Sequence, residues 1–327
     1  MTIVDLGRRA RPALLALAVL LLAAGRATAA VPDAVDATFR EWMALNHIAK
    51  SGVAVMKGRE LARSFDHGGW TAADPGVIAS LSKAVPAVCI ARLIDQGRLS
   101  FTTTLGEVLT RQFATLGEPV DPRFKTITIE QLLMHRSGMV RDSGALDTAT
   151  GMTDLFASVL RLRLAAAPGG AMSYSNIGYL ALGIVIEAVT GTDYETHCRR
   201  TVLEPLGISG RIADDERPGA PVGGWLISAI DYARFVQIFA PDATFLGSVS
   251  KAWLASRTGG YGLGIFLRRG TKGVIVFHEG KMGTPPVGSY FIRFDNGWTV
   301  MLIYEGIVGT DASQDLARRI AAAAGGR

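Results

Sequence analysis

Strand-forming patterns occupy both ends of this 327-residue chain, and helical patterns fill its centre. Gly52-Val53-Ala54-Val55-Met56 has the composition of a strand, Lys57 to Glu60 that of a turn, and Leu61 to Phe65 that of a returning strand. After Tyr261 come four more strand patterns: Gly262 to Leu267, Gly273 to His278, Ser289 to Phe294 and Trp298 to Tyr304. Asp295-Asn296-Gly297 supplies a hairpin turn between the last two. Between the two strand regions the apolar spacing is helical, as in Ile129 to Met134, Leu155 to Leu164, Tyr179 to Thr190, Thr192 to Leu203 and Ser228 to Phe239. Residues 33–48 and 311–324 predict outer helices. Strands at both ends must meet in one sheet to bury their apolar faces. The expected fold class is therefore α/β in the α+β sense. An antiparallel sheet flanked by helices is formed by both chain ends, about 33–99 and 255–327. An all-helical lobe, about 100–254, is inserted, and the site is expected in the cleft between the two.

The first 29 residues form a separate segment. Arg8, Arg9 and Arg11 precede an apolar run from Leu14 to Ala24, followed by the small residues Ala27-Thr28-Ala29. That order predicts a signal peptide over 1–29, and the run is short for a membrane span, which needs about 20 residues. A periplasmic or secreted protein with no stable membrane insertion after cleavage is expected. Much of the formal charge of +5 lies in this segment, which holds four Arg and one Asp. The remainder carries no basic block, so no nucleic acid partner is expected. Cys89 and Cys198 could pair in an oxidising compartment, but both fall on helical patterns, and two buried free thiols are the plainer reading. The five His show no metal-ligand spacing, so no metal is expected.

The chemistry centres on Ala79-Ser80-Leu81-Ser82-Lys83, ahead of a long apolar helical run that ends at Gly97. Three residues is just under one turn, so Ser80 and Lys83 share a face. A serine hydroxyl needs a neighbour to take its proton and donors to hold the resulting oxyanion. Lys83 can serve the first need and the Ser80 backbone N–H the second. Pro86 within this helix predicts a kink near its first turns. Ser248-Val249-Ser250-Lys251 repeats the S-x-x-K spacing, so spacing alone does not decide between them.

Tyr174-Ser175-Asn176 follows the loop Pro168-Gly169-Gly170 and precedes a helix. A tyrosine beside a lysine and a serine can act as a general base, and the asparagine can donate to a substrate carbonyl. A third element, His278-Glu279-Gly280-Lys281-Met282-Gly283, follows a strand pattern and enters a Gly/Pro-rich bend. A cation there can bind a substrate carboxylate.

In order, these three elements resemble the S-x-x-K, Y-x-N and K-T-G or H-x-G motifs of the serine β-lactamase and penicillin-binding-protein superfamily. The class C β-lactamases, the D-Ala-D-Ala carboxypeptidases and the related esterases are the nearest in pattern. Leu132 to Gly138 (L-L-M-H-R-S-G) is similar to the family's L-L-x-H-x-S-G. The stretches Gly223 to Ser228 and Tyr261-Gly262-Leu263-Gly264 also resemble family segments, so the likeness covers about Gly52 to Ala324. Motif order excludes Ser248, Lys50-Ser51-Gly52 and His67-Gly68-Gly69. Counting back from Gly288-Ser289-Tyr290 favours Lys281-Met282-Gly283 over His278-Glu279-Gly280 as the third motif.

The resemblance implies an exported serine hydrolase acting through an acyl-enzyme on an amide, β-lactam or ester carbonyl. An esterase or a D-Ala-D-Ala carboxypeptidase is an alternative of the same fold. Ser80, Lys83 and Tyr174 would be catalytic. Asn176, Lys281, Gly283 and His278 would bind a small-molecule or peptidoglycan-derived substrate, with no cofactor. Met282 stands where the family usually has a hydroxyl, which weakens carboxylate reading. The alternative from a different class is a non-catalytic binder of peptidoglycan fragments.

Overall fold

The structure is a computed structural model that describes residues 30–144 and 149–325; the expected signal peptide lies outside them. Among the described residues ten strands occur: β1 (Ser51–Lys57), β2 (Glu60–His67), β3 (Pro75–Val77), β4 (Arg211–Ile212), β5 (Trp225–Ser228), β6 (Tyr261–Gly262), β7 (Ile265–Arg269), β8 (Val274–Met282), β9 (Val287–Arg293) and β10 (Trp298–Glu305). Seven of them form one sheet in the order β2-β1-β10-β9-β8-β7-β6. Neighbours run antiparallel, with Val53 opposite Leu302, Met301 opposite Phe291 and Gly280 opposite Ser289. Both chain ends thus meet at the β1–β10 pair, as their strand patterns predict.

Alternation along the strands divides the core in two. Ala54, Met56, Met301 and Ile303 face the helical region, together with the buried helix α2 (Ala84–Asp95). Val53, Val55, Val300 and Leu302 face the other way, against α1 (30–45) and the chain's last helix, Thr310–Ala323. Trp42 of α1 fixes that outer layer by donating from Nε1 to the Ala312 carbonyl at 2.9 Å.

Several local expectations need correction. The helix expected from Ser80 onward begins as a 3₁₀ turn, Ala79–Lys83, and becomes α-helical at Ala84. Pro86 falls in the first turn of α2, where its missing N–H has no intrahelical acceptor to lose. The strand pattern Gly262 to Leu267 is broken into β6 and β7, because Leu263 and Gly264 take φ values of 50° and 78°. Strand β8 runs on to Met282, so the third motif lies within the strand rather than after it. The helical region also holds a small sheet, ordered β3-β5-β4. Cys89 and Cys198 are joined as a disulfide, not free thiols, with Cα atoms 5.9 Å apart. Each sits on a helix, and these two helices, α2 and Tyr194–Cys198, pack together in the core.

Candidate active site

Ser80 sits in the 3₁₀ turn between β3 and α2. Residues three apart eclipse one another in such a turn, which brings Lys83 beneath the serine. Lys83 Nζ donates to Ser80 Oγ at 3.3 Å and to the Val222 carbonyl at 2.8 Å. The lysine is fully buried, with its ammonium 5.1 Å from the Tyr174 ring and 5.9 Å from the Tyr179 ring. Burial pushes its pKa down to about 7; Asp142 opposes that shift and Arg141 adds to it. A lysine poised there can exchange protons near neutral pH.

At Ala84, the residue after Lys83, the chain must pass Gly264 of the returning strands. A Cβ at Gly264 would lie 2.4 Å from the backbone nitrogen of Ala84, so only glycine lets β6 and β7 pack against the Ser80 turn.

Tyr174 is placed by its neighbours. Ser175 caps helix α3 (Asn176–Thr190): its Oγ accepts from Gly178 N at 3.1 Å and donates to the Val140 carbonyl at 2.7 Å. The Ser175 N–H donates to His135 Nδ1 at 3.1 Å, and the His135 ring lies 4.2 Å from the Tyr174 ring. His135 of L-L-M-H-R-S-G therefore holds the Y-S-N turn from behind. Burial pushes the Tyr174 phenol up to about 12, although the Ser80 hydroxyl and Arg141 both draw it down. Its buried oxygen makes no hydrogen bond of ordinary geometry among the described residues, though Ser80 is near enough to influence it.

The cleft around Ser80 is a cavity of about 210 Å³ lined by Ser80, Arg141, Tyr174, Phe266, His278, Glu279 and Lys281. The candidates Ser80, Lys83, Tyr174, His278 and Lys281 thus converge. Asn176 does not join that lining: its amide Nδ2 donates to Asp142 Oδ1 at 2.6 Å.

The third motif differs from its expected register. A Cβ on Gly280 would lie 2.4 Å from Ser289 Oγ, 2.7 Å from the Ile78 carbonyl and 3.0 Å from Ser80 N. Ser289 Oγ donates to that same Ile78 carbonyl at 2.7 Å, tying β9 to the turn before Ser80. Gly280, opposite Ser289 in the β8–β9 ladder, is therefore the glycine against Ser80. Gly283 is exposed, and a Cβ there would meet nothing within 4 Å. Met282 does not occupy a hydroxyl position; its methyl would lie 3.0 Å from a Cβ on Gly223, behind the Ser80 turn. The geometry matches His278-Glu279-Gly280.

His278, offered as the alternative to Lys281 for the cleft's cation, is neutral near pH 7. It is buried, and burial together with Lys83 pushes its pKa down to about 3. Its Nδ1–H donates to the Glu279 carbonyl at 2.6 Å, so Nε2 is left to accept from the Tyr261 hydroxyl at 3.2 Å. Positive charge at the cleft comes instead from Lys281, 4.0 Å from Glu279, and from Arg141, 5.4 Å above the Tyr174 ring. The second S-x-x-K is elsewhere: Ser248 is exposed on the helix Ser248–Ala255.

Residues 35–325 match the family described as Beta-lactamase. The chain belongs to that family. Penicillin-binding protein 4 of Amycolatopsis lactamdurans is 28% identical over 215 residues, 54% of each protein. Protein flp of Staphylococcus aureus (strain COL) is 30% identical over 133 residues, 39% of this chain and 26% of that protein. The match therefore spans about half of the first relative and about a quarter of the second.

Among solved structures, a D-amino acid amidase from Ochrobactrum anthropi SV3, complexed with D-phenylalanine, superposes with a TM-score of 0.75. It is 19% identical, over 91% of this chain and 99% of that one. A class C β-lactamase mutant gives 0.74 at 18% identity, over 89% and 97%. SurE with D-Leu gives 0.73 at 24% identity, over 90% and 76%. At these identities the likeness is one of fold.

Sequence reasoning missed Arg141, Asp142, Phe266, Glu279 and Tyr261 as neighbours of the site. Arg141 and Asp142 follow the L-L-M-H-R-S-G segment closely, and Tyr261 opens Y-G-L-G. Both segments had been noted, but nothing in their pattern says which side chains turn toward Ser80.

Proposed function

We propose that this Beta-lactamase family protein is an exported serine hydrolase that opens ester or amide carbonyls through an acyl-enzyme on Ser80. The observation that carries this reading is the 3.3 Å contact between Ser80 Oγ and a buried Lys83 whose pKa is about 7. Neutral Lys83 accepts the Ser80 proton as the hydroxyl oxygen attacks the substrate carbonyl carbon. The oxyanion is held by the backbone N–H of Ser80 and by that of Lys281, the residue after Gly280. Tyr174, protonated near neutral pH, gives its proton to the leaving group and is recharged through Lys83. Water then attacks the acyl-enzyme by the reverse proton path. Export rests on the leader pattern of residues 1–29.

Glu279, in the middle of the third motif, bears on the substrate. A carboxylate at the cleft disfavours a substrate carboxylate, and Lys281 at 4.0 Å offsets it only in part. Neutral esters and amides are therefore favoured over carboxylate-bearing β-lactams. The D-amino acid amidase and penicillin-binding-protein likenesses add D-amino acid amides and D-Ala-D-Ala peptides to the substrates worth testing.

The test is a panel of p-nitrophenyl esters, D-amino acid amides, D-Ala-D-Ala peptides and nitrocefin, with intact-mass analysis of the trapped enzyme. Turnover with the acyl mass on Ser80, both lost in Ser80→Ala, is the expected result. An adduct on Ser248, or binding of peptidoglycan fragments without turnover of any ester, overturns it.

A further inference from the structure

The cavity at Ser80, about 210 Å³, is smaller than the roughly 300–1,000 Å³ in which small-molecule sites bury their ligands. A second cavity of about 410 Å³ lies beside it, between the outer face of β7, β8 and β9 and the last helix, α4 (Thr310–Ala323). The two cavities share Phe266 and Glu279 as a common wall.

Sequence explains why the second space exists. Along α4, Leu316 and Ile320 pack fully onto the sheet, while Ala317 and Ala321, one turn apart on the neighbouring stripe, are too small to reach it. Opposite them stand Phe277, Tyr290 and Ile292. Phe266 stacks on Phe277 with ring centroids 5.5 Å apart and planes at 19°. The result is an aromatic floor under Ala317 and Ala321, with Arg268, Ser313, Gln314 and Arg318 also in the lining.

The boundary between the cavities lies where the β7–β8 ladder ends. Strand β7 pairs with β8 only as far as Phe266 opposite Phe277, so β8 has no β7 partner from His278 onward. Among the described residues, the two linings share Phe266 and Glu279, and Glu279 is about half exposed.

We propose that this second cavity is a substrate subsite that takes an apolar arm, aromatic or aliphatic, of the ester or amide whose carbonyl reacts at Ser80. The proposal rests on the hydrolase reading above and names its substrate class. The volume of about 410 Å³ accommodates an arm of up to roughly 14 non-hydrogen atoms, taking about 30 Å³ for each. Each methylene transferred from water into the cavity is worth roughly three- to fourfold in kcat/KM while space remains.

The experiment compares two series on the wild-type protein. One is p-nitrophenyl acetate through decanoate, which lengthens the acyl arm. The other is acetate esters of phenols with lengthening para-alkyl chains, which lengthens the leaving arm. A rise of about threefold per methylene in either series is expected, and the series that shows it identifies the arm. Ala317→Trp and, separately, Ala321→Phe then fill the cavity. Each is expected to lower kcat/KM for the long ester at least tenfold and leave p-nitrophenyl acetate within twofold, which also shows that the variant is folded. A flat response in both series overturns the proposal, as does a long-chain preference that both variants leave intact. Failure of the hydrolase reading looks different: acetate turnover would be absent, or unaffected by Ser80→Ala.

Discussion

Gly280 lies against Ser80 so closely that a single methyl group on it would sit 3.0 Å from the Ser80 backbone nitrogen and 2.7 Å from the Ile78 carbonyl. Neither atom belongs to a flexible side chain, so Gly280→Ala must displace either β8 or the turn that carries Ser80. A shift of about 1 Å at a reacting group can cost on the order of 100-fold in rate. Gly280→Ala is expected to lose about that much in kcat, while Gly283→Ala, in open space, stays within twofold. Active-site titration with an acylating ester, alongside steady-state rates, checks this. Equal losses in the two variants would return the motif to Lys281-Met282-Gly283.

The pH profile should follow Lys83. If the neutral amine takes the Ser80 proton, log kcat/KM rises with unit slope up to about pH 7 and then levels, because Tyr174 stays protonated to about pH 12. Asp142 raises the Lys83 pKa and Arg141 lowers it. Asp142→Asn should therefore move the rising limb to lower pH, and Arg141→Gln should move it to higher pH. Stopped-flow acylation over pH 5 to 10 reads both shifts. Movement of both limbs in the same direction would show that these charges do not act through Lys83.

Lys83 should also cost stability. Its folded pKa of about 7 lies below the ordinary 10.5, so between those values the unfolded chain binds the proton and the folded chain does not. Stability from this group therefore rises with pH across that window, with a slope on the order of 1.4 kcal/mol per pH unit. Lys83→Met removes the titration and is expected to be inactive yet more stable than wild type. Its advantage should be largest at or below pH 7 and shrink as the pH approaches 10. Urea unfolding at pH 7 and pH 9.5 measures the change. An advantage independent of pH would point to packing rather than to the buried charge.

The sheet was legible because its strands carry period-two patterns on both faces, as in Val53 and Val55 against Ala54 and Met56. The Ser80–Lys83 contact was legible because it is local, within one turn. What could not be read was set by contacts distant in sequence. The register of the third motif depends on how Gly280 meets Ile78 and Ser80, some 200 residues earlier, and counting along β9 from Ser289 does not reveal it. The disulfide depends on two helices meeting across 109 residues. Strand β8 was drawn short because Gly280 and Gly283 look like a bend; pairing with β9 keeps the chain extended to Met282.

His278 and Lys281 should respond to substitution in different ways. His278 is neutral, accepts from the Tyr261 hydroxyl and donates to its own strand, so its task is to hold β8 beside Ser80. His278→Ala leaves a buried Tyr261 hydroxyl without that acceptor, a cost of about 1–3 kcal/mol, and frees the strand that carries Gly280. Its effect should be a fall in kcat that is the same for neutral and anionic substrates, and a lower Tm. Lys281 is partly exposed and faces the cleft beside Glu279. Lys281→Ala removes a cation and leaves the Glu279 carboxylate unopposed, so anionic substrates should lose about tenfold in kcat/KM and neutral esters much less. High salt should shrink that difference, because the site is open to counterions. Paired measurements on a neutral ester and on the same ester bearing a carboxylate decide it. A loss confined to the anionic substrate in His278→Ala, with Lys281→Ala near wild type on both, would make His278 the group that reads the substrate's charge.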